Sequence, residues 1–287
     1  MPACTAASPR GTISLMQENR SYLPSADRVG VLIASILLTY ALTRIVQSPH
    51  FTLTVTLPGF YFAYPLTLGT AMTVFAAALA ATGMDWLTRD HPSLGKKPNI
   101  EHLLLPTLTT FVIGGPLGIL PDGALWWLGL TFGALLLVGV FLAEYITIDA
   151  SAPSYALARA GLTALAFALF LILVTALRFS GARMFLLVPV LFMAAALISL
   201  RILHLDGNDR WDFPWALGIG LVCAQIAAGL HYWPLIPIQF GLAVTGPLYA
   251  LSMLSSSLNT ENIPLRRAVV GPLIVIGLAW AAAIFLH

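Results

Sequence analysis

Residues 156–178 read ALARAGLTALAFALFLILVTALR, and this stretch decides the class of the fold. Between Arg159 and Arg178 it carries no charged side chain. A helix needs about 20 mostly apolar residues to cross the hydrocarbon core of a bilayer, and this run supplies them. Working outward, the same pattern recurs along the chain. Runs near 28–46, 62–83, 102–120, 124–147, 156–178, 184–204, 213–231, 235–255 and 267–286 are separated by charged or turn-forming residues. The expectation is an all-α polytopic transmembrane helix bundle of about nine spans.

Composition carries the same message. Of 287 residues, 59% are hydrophobic and 9% are charged, with a mean hydropathy of +0.88. Soluble domains carry about 25% charged residues. A surface this poor in charge must face lipid. The net charge of +2 and the absence of any basic run longer than Lys96-Lys97 or Arg266-Arg267 exclude a nucleic-acid partner. The expected partners are the bilayer and other membrane subunits. Cys4 and Cys223 fall at different depths, so no disulfide is expected, and two cysteines make no metal framework.

Residues 1–27 are polar and rich in Ser, Pro and Ala, and read as a disordered tail, with Met16 an alternative translation start. Residues 28–287 form a single transmembrane domain, because no connecting segment is long enough to hold a soluble one. The first apolar run lies far from the terminus with no small-residue cleavage site close behind it, so it stays as a membrane helix. Pro121-Asp122-Gly123 is a turn that makes the third and fourth spans a hairpin. The joint His231-Tyr232-Trp233-Pro234 carries no charge, so an eight-span count is the alternative there.

Lys and Arg accumulate on the cytoplasmic side of membrane proteins. With the N-terminus inside, Arg10, Arg20, Arg28, Arg89, Lys96, Lys97, Arg159, Arg201, Arg210, Arg266 and Arg267 lie inside, and Arg44, Arg178 and Arg183 outside. Eleven against three sets the N-terminus inside and the C-terminus outside. The expected location is the cytoplasmic membrane of a prokaryote. Phe60-Tyr61-Phe62, Trp126-Trp127 and Tyr232-Trp233 mark the outer interface, and Trp86, Tyr145, Tyr155 and Trp211 the inner one.

No span carries Asp, Glu, Lys or Arg near its centre. Arg44, Glu144, Arg159, Arg178 and Arg201 fall within a turn or two of span ends and read as snorkelling interface residues. Thr67, Thr70, Thr73, Thr107, Thr109, Thr110, Gln225 and Gln239 read as interhelical hydrogen-bonding groups. Gly129 and Gly133 have G-x-x-x-G spacing, suited to close packing within the chain or between chains. Gly-Pro-Leu recurs at 115–117, 246–248 and 271–273, and Pro106 and Pro237 each precede a second proline by ten residues. This pattern fits chance or a distant inverted repeat. Between spans one and two, Phe51 to Leu57 alternates threonine with apolar residues, a strand signal.

Two inner loops hold acidic clusters. One runs Asp85-Trp-Leu-Thr-Arg89-Asp90-His91, the other His204-Leu-Asp206-Gly-Asn-Asp209-Arg-Trp-Asp212. Carboxylates at a membrane surface suit Mg²⁺, which in turn can hold a diphosphate, so Asp85, Asp90, Asp206 and Asp209 are the expected metal ligands under an enzymatic reading. The plain alternative is a solvated turn. In length, nine-span layout and acidic loops after spans two and six, the chain resembles the intramembrane aromatic prenyltransferases. That resemblance implies Mg²⁺-bound prenyl diphosphate at the two loops. The residues depart from that family's motifs: Met84 stands before Asp85 where Asn is expected, and the second pair is spaced three apart rather than four.

Motifs for a serine nucleophile elbow, a zinc protease helix and nucleotide-binding loops are all absent. Three functions remain. The first is a non-enzymatic subunit or scaffold of a membrane assembly, requiring no cofactor. The second is a Mg²⁺-dependent transferase acting on a prenyl or lipid diphosphate. The third is a transporter of a neutral or lipidic solute.

Overall fold

A computed structural model describes residues 24–46, 51–57, 60–89, 91, 100–149, 151, 153–206, 211–258 and 265–285. Among them are nine helices: α1 (Ala26–Ile45), α2 (Leu68–Thr88), α3 (Ile100–Ile119), α4 (Ala124–Ile146), α5 (Tyr155–Phe179), α6 (Met184–Asp206), α7 (Phe213–Leu230), α8 (Pro237–Leu258) and α9 (Leu265–Phe285). All nine are long and apolar enough to cross a membrane. The fold is therefore the helical membrane bundle that the apolar runs demand. The seventh and eighth runs are separate helices, which settles the count at nine rather than eight among the described residues.

The second span begins later than its hydropathy suggests. Residues 60–66 are a strand, β2 (Phe60–Leu66), paired antiparallel with β1 (Phe51–Leu57) in a register that places Phe51 opposite Leu66 and Leu57 opposite Phe60. The β1 strand is the one expected from alternating threonines, and Thr52, Thr54 and Thr56 are exposed. Phe60-Tyr61-Phe62, read as an interfacial belt at the start of a span, instead supplies the pairing strand. The span proper starts after Thr67, whose hydroxyl accepts the Thr70 N–H as an N-cap.

The hairpin joins the end of α1 to the start of α2 and marks one end of the bundle, called here the hairpin end. The other is the far end. Side-chain contacts show α1 antiparallel to α2 and parallel to α3. Arg28 at the start of α1 lies over the Trp86 ring near the end of α2, while Arg44 at the end of α1 reaches the end of α3.

Two hydrophobic cores divide the molecule. One is built from α1, α2, α3 and α4 around Ile36, Met84, Leu137 and Phe141. The other is built mainly from α5, α6, α7 and α8 around Leu169, Phe170, Leu191 and Phe240, and takes Leu105 and Val112 from α3. Helix α3 is thus the shared wall of a seam between two sub-bundles, with α5 and α6 on its other side. Helix α9 packs on α8 at the periphery, where Trp280 Nε1 donates to the Ala243 carbonyl at 3.2 Å.

Close helix approach explains several glycines. A Cβ on Gly220 would lie 2.9 Å from the Phe192 carbonyl oxygen, so α6 and α7 meet backbone to side-chain-free backbone. The Gly129 and Gly133 pair serves contacts inside the chain, against Leu120 just past α3 and Ile113 of α3. The three Gly-Pro-Leu copies do not share one role. A Cβ on Gly246 would meet Ala279 of α9 at 2.3 Å, one on Gly271 would meet the tip of Met253 at 3.1 Å, and one on Gly115 would meet nothing within 4 Å.

Candidate functional site

The seam is polar at both of its ends, in different ways. At the far end five side chains from three helices converge. Glu101 and His102 open α3, Glu144 lies near the end of α4, and Arg201 and His204 lie near the end of α6. The Arg201 guanidinium donates from Nη2 to Glu144 Oε2 at 2.5 Å and from Nε to Oε1 at 3.3 Å, a two-pronged pair. His102 Nδ1 lies 2.9 Å from the same Oε2 and 3.3 Å from Arg201 Nη2. Glu101 then bridges the two imidazoles, 2.8 Å from His204 Nε2 and 3.4 Å from His102 Nε2. Stacking on Trp211, with centroids 4.9 Å apart, holds the His204 ring.

This arrangement corrects the interfacial reading of Glu144 and Arg201. Their side chains are 0% and 1% exposed, so neither snorkels to water. Burial of two charges is tolerated because each satisfies the other; removing one partner from such a pair costs about 3–5 kcal/mol. Nearby, His91 is buried against the Tyr145 ring, 4.7 Å between centroids. Burial pushes its imidazole below the usual value, with Asp149 opposing that shift and His102 adding to it.

The expected metal ligands are placed unevenly. Asp85, near the end of α2, accepts from Arg89 Nη2 at 2.7 Å and Nε at 3.1 Å in an exposed pair within one helical turn. Asp206 is the last residue of α6. Asp90 and Asp209 lie outside the described residues, so the four-carboxylate arrangement does too. Among the described residues no group of three or more His, Cys, Asp or Glu side chains is disposed to hold a metal ion.

At the hairpin end the seam opens into a cleft of about 510 Å³ between α2, α3 and α5, closed on one side by Tyr40, Thr43 and Arg44 of α1 and by Trp126 of α4. Its α2 wall carries Thr67, Thr70 and Thr73, and its α5 wall carries Leu173, Ala176, Leu177 and Ser180. The α3 floor includes Gly115 and Gly118, where an added Cβ would meet nothing within 4 Å. Those two glycines leave open the volume that side chains would otherwise fill.

Arg44 braces the cleft. Its Nη1 lies 2.8 Å from Asp122 Oδ1, and its Nη2 donates to the Leu117 and Leu120 carbonyls at 3.0 and 2.6 Å. These carbonyls end α3 and have no helical donor of their own. Arg178 does the same elsewhere at this end, donating to the His231 and Trp233 carbonyls at 2.8 and 3.2 Å. Two of the three arginines on the arginine-poor side are therefore structural clamps on helix ends.

Among the described residues, nine helices long and apolar enough to span a bilayer, around a seam with a cleft at one end and a buried ion pair at the other, define an integral, polytopic α-helical membrane protein. The chain belongs to the family described as "Protein of unknown function (DUF5656)", which it matches over residues 48–286. No curated protein and no solved structure matches it.

Proposed function

We propose that this chain binds a neutral, lipid-soluble solute and passes it along the seam between its two sub-bundles, in the cytoplasmic membrane of a prokaryote with the N-terminus inside. One observation carries the reading: a single seam is open as a cleft at the hairpin end and held shut by the Glu144–Arg201 pair at the far end. A transporter needs two access states around one path, reached by rocking one bundle against another. The described conformer has the form of one such state, with the cleft open outward. The expectation of a non-enzymatic subunit rested on the lack of buried charge and of any catalytic motif; the buried Glu144–Arg201 pair removes the first ground and leaves the second. Ionisable groups buried inside a membrane bundle are functional by default.

The test measures thiol accessibility from each side of the membrane, in full-length protein lacking Cys4 and Cys223. Single cysteines replace Gly115 in the cleft and Leu105 one turn beyond the ionic cluster. A membrane-impermeant maleimide should label position 115 from the hairpin side and leave position 105 unlabelled from the far side. In the Glu144→Gln/Arg201→Met background, position 105 should become reactive from the far side while position 115 loses reactivity. No reciprocal change would make the seam a static joint and return the subunit reading to first place.

A further inference from the structure

The cleft also specifies the chemistry of its occupant, an inference that rests on its being a ligand site. Its hydroxyl groups are those of Tyr40, Thr43, Thr67, Thr70, Thr73 and Ser180. Each hydroxyl offers one proton and two lone pairs. Tyr40 donates its proton to the Thr110 carbonyl. Thr43 donates to the Tyr40 carbonyl at 2.7 Å, Thr73 to the Gly69 carbonyl at 2.8 Å, and Ser180 to the Leu177 carbonyl at 2.9 Å. The Thr67 and Thr70 hydroxyl oxygens lie 3.1 Å apart, so one donates to the other. Five of the six protons are engaged inside the protein, one each for Tyr40, Thr43, Thr73 and Ser180 and one for the threonine pair. The oxygens keep lone pairs.

On the α3 side the backbone adds an acceptor. Pro116 lines the cleft and has no N–H to give the Val112 carbonyl four residues before it. The cation of the lining, Arg44, is already engaged by Asp122 and two carbonyls. A carboxylate or phosphate entering this space would meet lone pairs, one hydroxyl proton of the Thr67–Thr70 pair, and a guanidinium whose partners it would have to displace. An ammonium would meet Arg44 itself, in a site whose one neighbouring carboxylate is already paired. The apolar body of a ligand, by contrast, finds Phe111, Leu173 and Leu177.

We propose that the ligand is an uncharged amphiphile whose head group donates hydrogen bonds, a hydroxyl being the simplest, and whose apolar body lies along α5. The hydroxyl proton goes to the threonine oxygens of α2, and no charge is buried.

The experiment uses full-length protein in lipid nanodiscs, without Cys4 and Cys223, carrying a bimane on Ile119→Cys, an exposed residue at the edge of the cleft. Three probes of one chain length are titrated at equal mole fraction in the lipid: 1-dodecanol, its methyl ether and dodecanoate. The alcohol should shift bimane emission at about five- to tenfold lower mole fraction than the ether, the scale of one net hydrogen bond. Dodecanoate should be the weakest. In a Thr70→Val/Thr73→Val background the alcohol should lose its advantage, falling to within about twofold of the ether, while the ether is unchanged. Ether equal to alcohol in the parent protein, or dodecanoate tightest, would overturn the donor-head assignment and leave the cleft standing as a binding site. No response to any of the three would overturn the cleft itself, and with it the proposed function.

Discussion

The two ends of the seam use similar means to opposite effect. At the far end Glu101, His102, Glu144, Arg201 and His204 bind one another across three helices, with Glu144 and Arg201 almost wholly buried. At the hairpin end the hydroxyls turn inward to their own backbone, Arg44 closes on helix-end carbonyls, and a cavity remains. Polar residues inside a bundle can therefore join helices or hold them apart. At the far end the charged side chains pair with one another across helices; at the hairpin end the threonine and serine protons stay on their own helices, while Tyr40 and Arg44 reach only backbone carbonyls of α3 and its end.

The largest expected effect separates single from double changes at the far end. Glu144→Ala or Arg201→Ala alone leaves a buried charge without its counterpart and should destabilise the protein by about 3–5 kcal/mol. The pair exchanged together for Gln and Met should recover most of that loss. Thermal unfolding in mild detergent checks both. If the single and double variants melt together, the far end is not an ionic closure.

Gly220→Ala comes next. Its new methyl would press on the Phe192 carbonyl, which is backbone and cannot rotate away. Overpacking of this kind costs about 1–3 kcal/mol, read in the same melts. At the hairpin end Asp122→Asn should cost less than about 1 kcal/mol, because the Asp122 side chain is 84% exposed and exposed pairs contribute little. A larger loss there would mean the cleft is held as tightly as the closed end. Smallest in stability is Gly118→Leu, expected within about 0.5 kcal/mol of the parent because the site is open and exposed. Its effect should appear instead as loss of dodecanol binding, measured with the same bimane at position 119. Retained binding would mean that the cleft volume plays no part.

The nine spans are legible because the bilayer imposes one requirement, length of apolar chain, that hydropathy measures directly. The hairpin is half legible. Alternating threonines announce β1, whereas Phe60 to Leu66 is apolar throughout and merges with the span that follows. Pro58-Gly59 between two β-rich runs is the signal that separates them. The ionic closure is not legible from depth alone. Distance from a helix end tells how far a side chain must reach for water, not whether it faces lipid, water or another helix. Topology offered the missing clue, since His102, Glu144, Arg201 and His204 all fall at ends assigned to one side. The cleft is less legible still, because Gly115 and Gly118 act by what they lack.

The ionic closure also has a history within each molecule's synthesis. Glu144 and Arg201 are separated by 57 residues. At about 5–20 residues per second the acidic side chain leaves the ribosome about 3–11 s before its guanidinium partner exists. His102, 42 residues upstream of Glu144, is made first and arrives with it in the α3–α4 hairpin. The imidazole is thus an interim companion, keeping the carboxylate from solitude in the bilayer until the sixth helix comes to claim it.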